Sequence, residues 1–117
     1  MNVEFVPDVG DLIWTVFDPT VGREQKGRRP ALVVSHRDFY LLTRFVIVCP
    51  ITSRVRPFPS SVVLPAGLPV AGEILVSAVK TIDGSARPVE PIFARIPAET
   101  AAEVRAKLLA LVTIGLE

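Results

Sequence analysis

The sequence has few of the residues that build disulfides, metal centres and histidine pairs. It contains one cysteine and one histidine among 117 residues. A single cysteine excludes an internal disulfide and a cysteine zinc cluster, and a single histidine excludes a His–His acid–base pair within one chain. Any catalysis by this chain therefore has to rest on other side chains.

Long apolar runs are also missing. The longest, residues 45–51, contains Pro50 and is far shorter than the roughly 18 residues that a membrane span needs. The first eight residues hold two acids and no base, so we expect no signal peptide. Half of the residues are hydrophobic and 21% are charged, which is typical of a globular chain. We expect one soluble, cytoplasmic domain spanning residues 1–117.

The net charge of +1 is small, but the charges are unevenly distributed. Residues 1–21 carry four acids and no base, whereas residues 22–56 carry eight bases and two acids. Most of these bases are arginines, whose guanidinium groups offer paired hydrogen-bond donors to phosphate. The pattern favours a nucleic acid as partner, and ordinary solvated turn residues remain the alternative.

Eleven prolines and seven glycines favour short strands and turns over a helical bundle. The hydrophobic pattern predicts strands at residues 11–17, 31–35, 44–50, 61–64 and 73–79, and allows a short edge strand at 93–96. Turns are predicted at 18–22 and 67–72, and polar loops at 23–29 and 52–59. A single helical turn is predicted through Phe39 and Tyr40, capped by Ser35 or Asp38.

The apolar period changes near the end of the chain, where it predicts a helix over residues 98–113. Pro97 suits its first turn, Gly115 suits a C-terminal cap, and Glu103 and Lys107 lie four residues apart. One helix face carries the apolar stripe Val104, Leu108, Leu111 and Val112. The prediction is a β-rich α+β fold, a small, strongly bent antiparallel sheet with a C-terminal amphipathic helix packed on it.

Three polar residues in the two basic loops suggest a chemistry. Glu24, Arg29 and Thr52 could serve as a base or positioner, a cationic donor and a hydroxyl donor around a phosphate. These groups would suit RNA cleavage, in which the ribose 2′-hydroxyl attacks its own phosphorus. Arg, Glu and Thr are common in loops, so an ordinary structural role is the alternative.

The remaining candidates have simpler explanations as well. Cys49 lies in an apolar run and is predicted to be a core residue. His36 is predicted to be an exposed residue near a helix cap. Trp14 belongs either to the core or to a base-stacking surface. Lys80 forms either a turn ion pair with a nearby acid or a phosphate contact.

At these same positions the chain resembles the MazF/PemK family, the toxins of prokaryotic type II toxin–antitoxin pairs. The resemblance covers nearly the whole chain, and its first block is the most specific. The matching segments are GDLIW (10–14), DPTVG (18–22), EQ (24–25), Gly27, RPALVVS (29–35), CPITSR (49–54), residues 58–65 and VKTID (79–83).

The resemblance implies an SH3-like barrel, a homodimer, and an endoribonuclease that cuts single-stranded RNA at short sequences without a metal or other cofactor. It also implies a cognate antitoxin, whose disordered tail would lie in the RNA groove or along the dimer seam. Arg29 matches the family's catalytic arginine, Thr52 its threonine and Glu24 its loop glutamate. Positions matching RNA contacts are Trp14, Arg23, Lys26, Arg28, Ser53, Arg54 and Arg56. Ser77 and Lys80 are further candidates for RNA binding.

One departure bears on the activity. Where many members carry Asp-Gln before the Val-Lys-Thr-Ile-like stretch, this chain has Ser77 and Ala78. Serine forms hydrogen bonds but does not carry protons near neutral pH. This leaves open a degenerate toxin that only binds RNA or antitoxin. A further alternative comes from the related CcdB toxins, which share the implied fold and act on DNA gyrase, namely an inhibitor of a protein target.

Overall fold

The computed structural model describes residues 4–17 and 27–113. The elements in chain order are β1 (Asp11–Val16), β2 (Arg28–Val33), α1 (Arg37–Thr43), β3 (Phe45–Thr52), β4 (Ser61–Val63), β5 (Glu73–Leu75), a 3₁₀ turn (Val76–Ala78), β6 (Lys80–Asp83), β7 (Glu90–Arg95) and α2 (Ala98–Val112). The predicted fold class, an antiparallel sheet with a C-terminal helix, is confirmed. No helix in the described ranges is long and apolar enough to cross a membrane.

The sheet is organised around β3. The strand order is β4-β5-β3-β2-β1-β7, and β6 also pairs with β3. β3 pairs antiparallel with β2, with β6 and with β5, so three partners share one eight-residue strand. β6 and β5 follow one another along β3, on residues 45–48 and 51–52.

Both faces of the sheet are buried near its centre. One face packs Leu12, Leu32 and Ile74 against α2 through Val104 and the half-buried Leu108. The opposite face packs a second cluster, Ile13, Ala31, Val33, Tyr40, Val46, Val48 and Ile82. A strand buried on both faces needs a continuous apolar run, which explains why residues 31–34 are all apolar.

The fifth predicted strand was too long. β5 ends at Leu75, and residues 76–78 form a 3₁₀ turn in which the Val79 amide donates to the Val76 carbonyl (3.2 Å). β6 then pairs Lys80 with Val48 and Ile82 with Val46. The apolar run is continuous because Val76 is buried within the turn, so hydrophobicity alone does not show the break.

The first helix and the last strand also differ from the prediction. α1 has seven residues, and its N-cap is His36, whose Nδ1 accepts a hydrogen bond from the Asp38 amide (3.1 Å). Ser35 does not cap it, because its Oγ accepts from the Ile47 amide (2.9 Å). β7 begins at Glu90, three residues before the predicted edge strand.

The C-terminal helix is confirmed, as is its Glu103–Lys107 ion pair (3.5 Å). The apolar stripe is buried only over its first half, since Leu111 and Val112 are about half exposed, at 47% and 53%. The predicted turn at 18–22 and the Gly115 cap lie outside the described residues.

Gly72 has no room for a side chain, which gives a test of the packing beside β3. A Cβ at Gly72 would lie 2.2 Å from the Thr52 carbonyl oxygen, and its φ is +143°. We expect Gly72→Ala to lower the free energy of unfolding by about 3 kcal/mol in urea denaturation. Gly67→Ala is the control, because Gly67 has φ +97° and open space around it. It should cost about 1 kcal/mol, and equal losses would contradict the packing.

Cys49 is fully buried, as predicted, and burial raises the pKa of its thiol to about 11. We expect the native protein to resist dithionitrobenzoate at pH 8, because the thiolate is scarce and shielded. The same protein in guanidinium should release one equivalent of thionitrobenzoate per chain. Rapid reaction of the native protein would show that this part of the core opens readily.

Candidate functional site

Four polar side chains form a row across the sheet. Thr15 on β1 pairs directly with Arg29 on β2, and Thr52 on β3 pairs directly with Glu73 on β5. The β2–β3 register pairs Ala31 with Pro50, and extending it by two residues brings Arg29 level with Thr52. Directly opposed residues of antiparallel strands point to the same face, about 5 Å apart. The register, extended two residues beyond its last pair, therefore puts Arg29 and Thr52 on the same face of the sheet.

The row continues the face that carries the second core cluster. Ala31 and Val48 are buried in that cluster, and Arg29 and Thr52 follow them in the two-residue alternation of their strands. Arg29 is exposed and Thr52 is half-buried. The core thus ends at Arg29 and Thr52, which meet the solvent at the margin of the packed cluster.

Lys80 lies on the same face. It is directly opposite Val48 on β3, and its side chain is exposed. Its Nζ lies 5.2 Å from the ring centre of Phe17. No ion pair links it to Asp83 within the described ranges, so the turn ion pair that the sequence allowed is not formed. Two cations, Arg29 and Lys80, and the Thr52 hydroxyl thus share one face.

Trp14 and Arg28 lie on the other face. The Arg28 guanidinium carbon is 4.5 Å from the Trp14 ring centre, and Arg28 Nη2 is 3.3 Å from Glu90 Oε1. The stacked arginine covers one side of the indole and is itself paired with a carboxylate. The sequence grouped Arg28 with Arg29, but the strand alternation sends them to opposite faces.

The loop after β3 carries three more of the predicted contacts. Ser53, Arg54 and Arg56 are all exposed. The Arg54 amide donates to Thr52 Oγ1 (3.2 Å), which fixes the direction of the hydroxyl at the end of the strand. The loop therefore begins at the row and extends its basic surface.

Four predicted site residues remain, Ser77 and three residues of the loop before β2. Ser77 is exposed in the 3₁₀ turn between β5 and β6. Arg23, Glu24 and Lys26 lie outside the described residues.

Sequence reasoning missed Glu73, which was assigned only as the first residue of a strand. Its side chain is 1% exposed, and its carboxylate accepts hydrogen bonds from the Ser61 hydroxyl and the Arg56 amide (2.8 Å). The Ser61 hydrogen bond, followed by those from the Arg56 and Phe58 amides, holds the pKa of this carboxyl below its usual range. An acid at the start of an apolar strand could have indicated a buried polar contact. Its hydrogen-bond partners, Arg56 and Ser61, are remote in sequence and could not be identified from it.

The row has the groups that a phosphate site needs. A guanidinium presents paired donors to non-bridging oxygens, and a hydroxyl adds a donor of fixed direction. Arg29 is exposed and forms no ion pair with a carboxylate among the described residues. The arrangement suits a phosphodiester bound across the ends of β2 and β3.

The sequence and the fold both match known proteins. Endoribonuclease toxin MazF from Escherichia coli K12 is 42% identical over 87 residues, 74% of this chain and 78% of that protein. Endoribonuclease PemK from Escherichia coli is 35% identical over 107 residues, 86% and 79% of the two chains. A crystal structure of MazF from Deinococcus radiodurans superposes with a TM-score of 0.82 at 44% identity, covering 92% of this chain and 97% of that one.

A MazE–MazF structure from the same bacterium superposes with a TM-score of 0.83 at 40% identity, covering 95% of this chain and all of the matched chain. The family model described as PemK-like, MazF-like toxin of type II toxin–antitoxin system matches residues 8–112. With the family match and these relatives in agreement, the chain belongs to the PemK-like, MazF-like toxins of type II toxin–antitoxin systems.

Proposed function

We propose that this protein is an endoribonuclease toxin that cleaves single-stranded RNA in the cytoplasm and is neutralised by a cognate antitoxin protein. The observation that supports the proposal is that the strand registers put Arg29, Thr52 and Lys80 on one face of the sheet, where Arg29 and Lys80 are exposed. The relatives named endoribonuclease support the reaction class, and the MazE–MazF structure supports a protein antitoxin.

The reaction proposed is transfer of a phosphodiester within the RNA. The 2′-oxygen attacks phosphorus, its proton passes to a base, and the bond from phosphorus to the 5′-oxygen breaks. The leaving oxygen takes a proton, which gives a 2′,3′-cyclic phosphate and a 5′-hydroxyl. Arg29 and Thr52 would stabilise charge on the non-bridging oxygens. We assign the base to Glu24 on the family resemblance.

Ser77 does not replace the acid that many members carry near this position. It is exposed in the 3₁₀ turn between β5 and β6, and its hydroxyl does not carry protons near neutral pH. We therefore propose that Arg29, Thr52 and Glu24 suffice for cleavage without a metal. RNA binding without turnover would favour the degenerate toxin instead.

We also propose that the protein acts as a homodimer. The observation behind this is the apolar second half of α2, where Leu109, Leu111 and Val112 remain 55%, 47% and 53% exposed. A cavity of about 550 Å³ lies beside the helix, with Ala101, Leu108 and other mostly apolar residues in its walls. Apolar surface of this kind is typical of a protein interface.

Replacing Arg29 and Arg28 separately tests the site. We expect Arg29→Ala to reduce cleavage of a long single-stranded RNA in EDTA more than a hundredfold, by loss of charge stabilisation worth about 3 kcal/mol. Arg28→Ala should cost less than tenfold, since Arg28 lies on the other face against Trp14. Wild-type digests should end in cyclic phosphates and 5′-hydroxyls, mapped by end-labelling.

Two results would contradict this assignment. Unchanged cleavage by Arg29→Ala would remove Arg29 from the site. Cleavage that stops in EDTA and returns with a divalent cation would rule out the metal-independent reaction.

A further inference from the structure

Glu73 is a buried anion that no cation neutralises within the described chain. Its side chain is 1% exposed, and none of the ion pairs among the described residues includes it. A buried carboxylate without a counter-ion is costly unless several hydrogen bonds satisfy it. Glu73 has such bonds, so the fold keeps a charge here at a position where an apolar residue would fit the strand.

Every hydrogen bond that satisfies Glu73 comes from the segment 53–61. The Arg56 amide donates to Oε1 at 2.8 Å, and the Ser61 hydroxyl donates to Oε2. The Phe58 amide in turn donates to Ser61 Oγ (3.0 Å). One side chain on β5 therefore fixes the course of the loop between β3 and β4.

This loop starts at the row described above. Glu73 is the direct β5 partner of Thr52 on β3, and Arg29 lies on the other side of Thr52. Arg54 and Arg56 are exposed on the loop that Glu73 holds. The carboxylate thus lies next to the candidate site in the sheet while its hydrogen bonds reach the basic loop.

The Lys107 ammonium fixes the far end of the same loop. Its Nζ donates to the Ser61 carbonyl oxygen (2.7 Å), which ties the start of β4 to α2. With both ends held, the loop is anchored at Thr52 by the β3–β5 ladder, at its middle by Glu73 and at its end by Lys107. Of the two exposed arginines, Arg56 is held directly by Glu73 through its amide, and the Arg54 amide is held by Thr52 Oγ1.

We propose that Glu73 is a positioning residue for RNA binding, which holds the loop 53–60 so that Arg54 and Arg56 contact the phosphates flanking the one bound at Arg29 and Thr52. The inference rests on the proposed function. Glu73 itself does not touch the RNA, since its carboxylate is buried and bonded to the loop. Its loss should therefore weaken RNA binding more than it slows the chemical step.

Glu73→Gln tests this, because glutamine keeps the size and removes the charge that the loop amides bind. The probe is a single-stranded RNA made uncleavable by 2′-O-methyl groups, with its Kd measured by fluorescence anisotropy across a salt series. We expect Kd to rise about tenfold and the slope of log K against log salt to fall by about 1.4, the value for two phosphate contacts. The kcat on cleavable RNA should stay within about threefold of wild type.

Glu99→Gln is the matched control, because Glu99 is an exposed acid in the first turn of α2 and should leave both quantities unchanged. Amide exchange gives an independent readout, and the Arg56 and Phe58 amides should exchange faster in Glu73→Gln. If that variant does not fold, Ser61→Ala removes one donor to the carboxylate and should shift Kd and the salt slope in the same direction, by less.

The outcomes separate the two proposals. A folded Glu73→Gln protein with lower thermal stability but wild-type Kd and salt slope would show a structural role only and overturn the inference. Failure of the wild-type protein to bind or cut RNA would instead overturn the proposed function, and with it the inference. A kcat loss with unchanged Kd would also contradict positioning of the loop for binding.

Discussion

The three-fold pairing of β3 is the constraint on which the rest of the structure depends. Its residues 45–48 pair with β6, its residues 48–50 with β2, and its last two residues with β5. β5 and β6 pair with β3 in succession and run in the same direction, and the chain between them has three more residues than the part of β3 that it spans. The 3₁₀ turn at residues 76–78 takes up these extra residues. The end of β3 is therefore held firmly where Thr52 meets the solvent.

The candidate site follows from this arrangement and from the alternation of side chains along a strand. Arg28 and Arg29 are adjacent in sequence, yet one stacks on Trp14 and the other lies level with Thr52. A shift of one residue in the β1–β2 register would exchange their faces. The buried residues that fix that register, such as Ile13 and Ala31, thus also determine which arginine faces the candidate site.

The sequence was sufficient for the elements that have a clear period or a clear motif. Residues 11–16 alternate and are β-branched or aromatic, and the helix 98–112 has its apolar residues three and four apart, so both were predicted within one residue or so. The break between β5 and β6 was missed because Val76, which begins the turn, is apolar and buried like the strand residues before it. Glu73 was missed because its partners are a hydroxyl and a backbone amide, and a sequence does not show which backbone amide a carboxylate will bind.

A structure of the protein bound to a short RNA tests the central claim most directly. The scissile nucleotide would carry a 2′-deoxy substitution, which removes the attacking hydroxyl and keeps the phosphate. The account predicts that the phosphate lies within hydrogen-bond distance of the Arg29 guanidinium and the Thr52 hydroxyl. A phosphate bound on the opposite face, beside Trp14 and Arg28, or along α2, would contradict it.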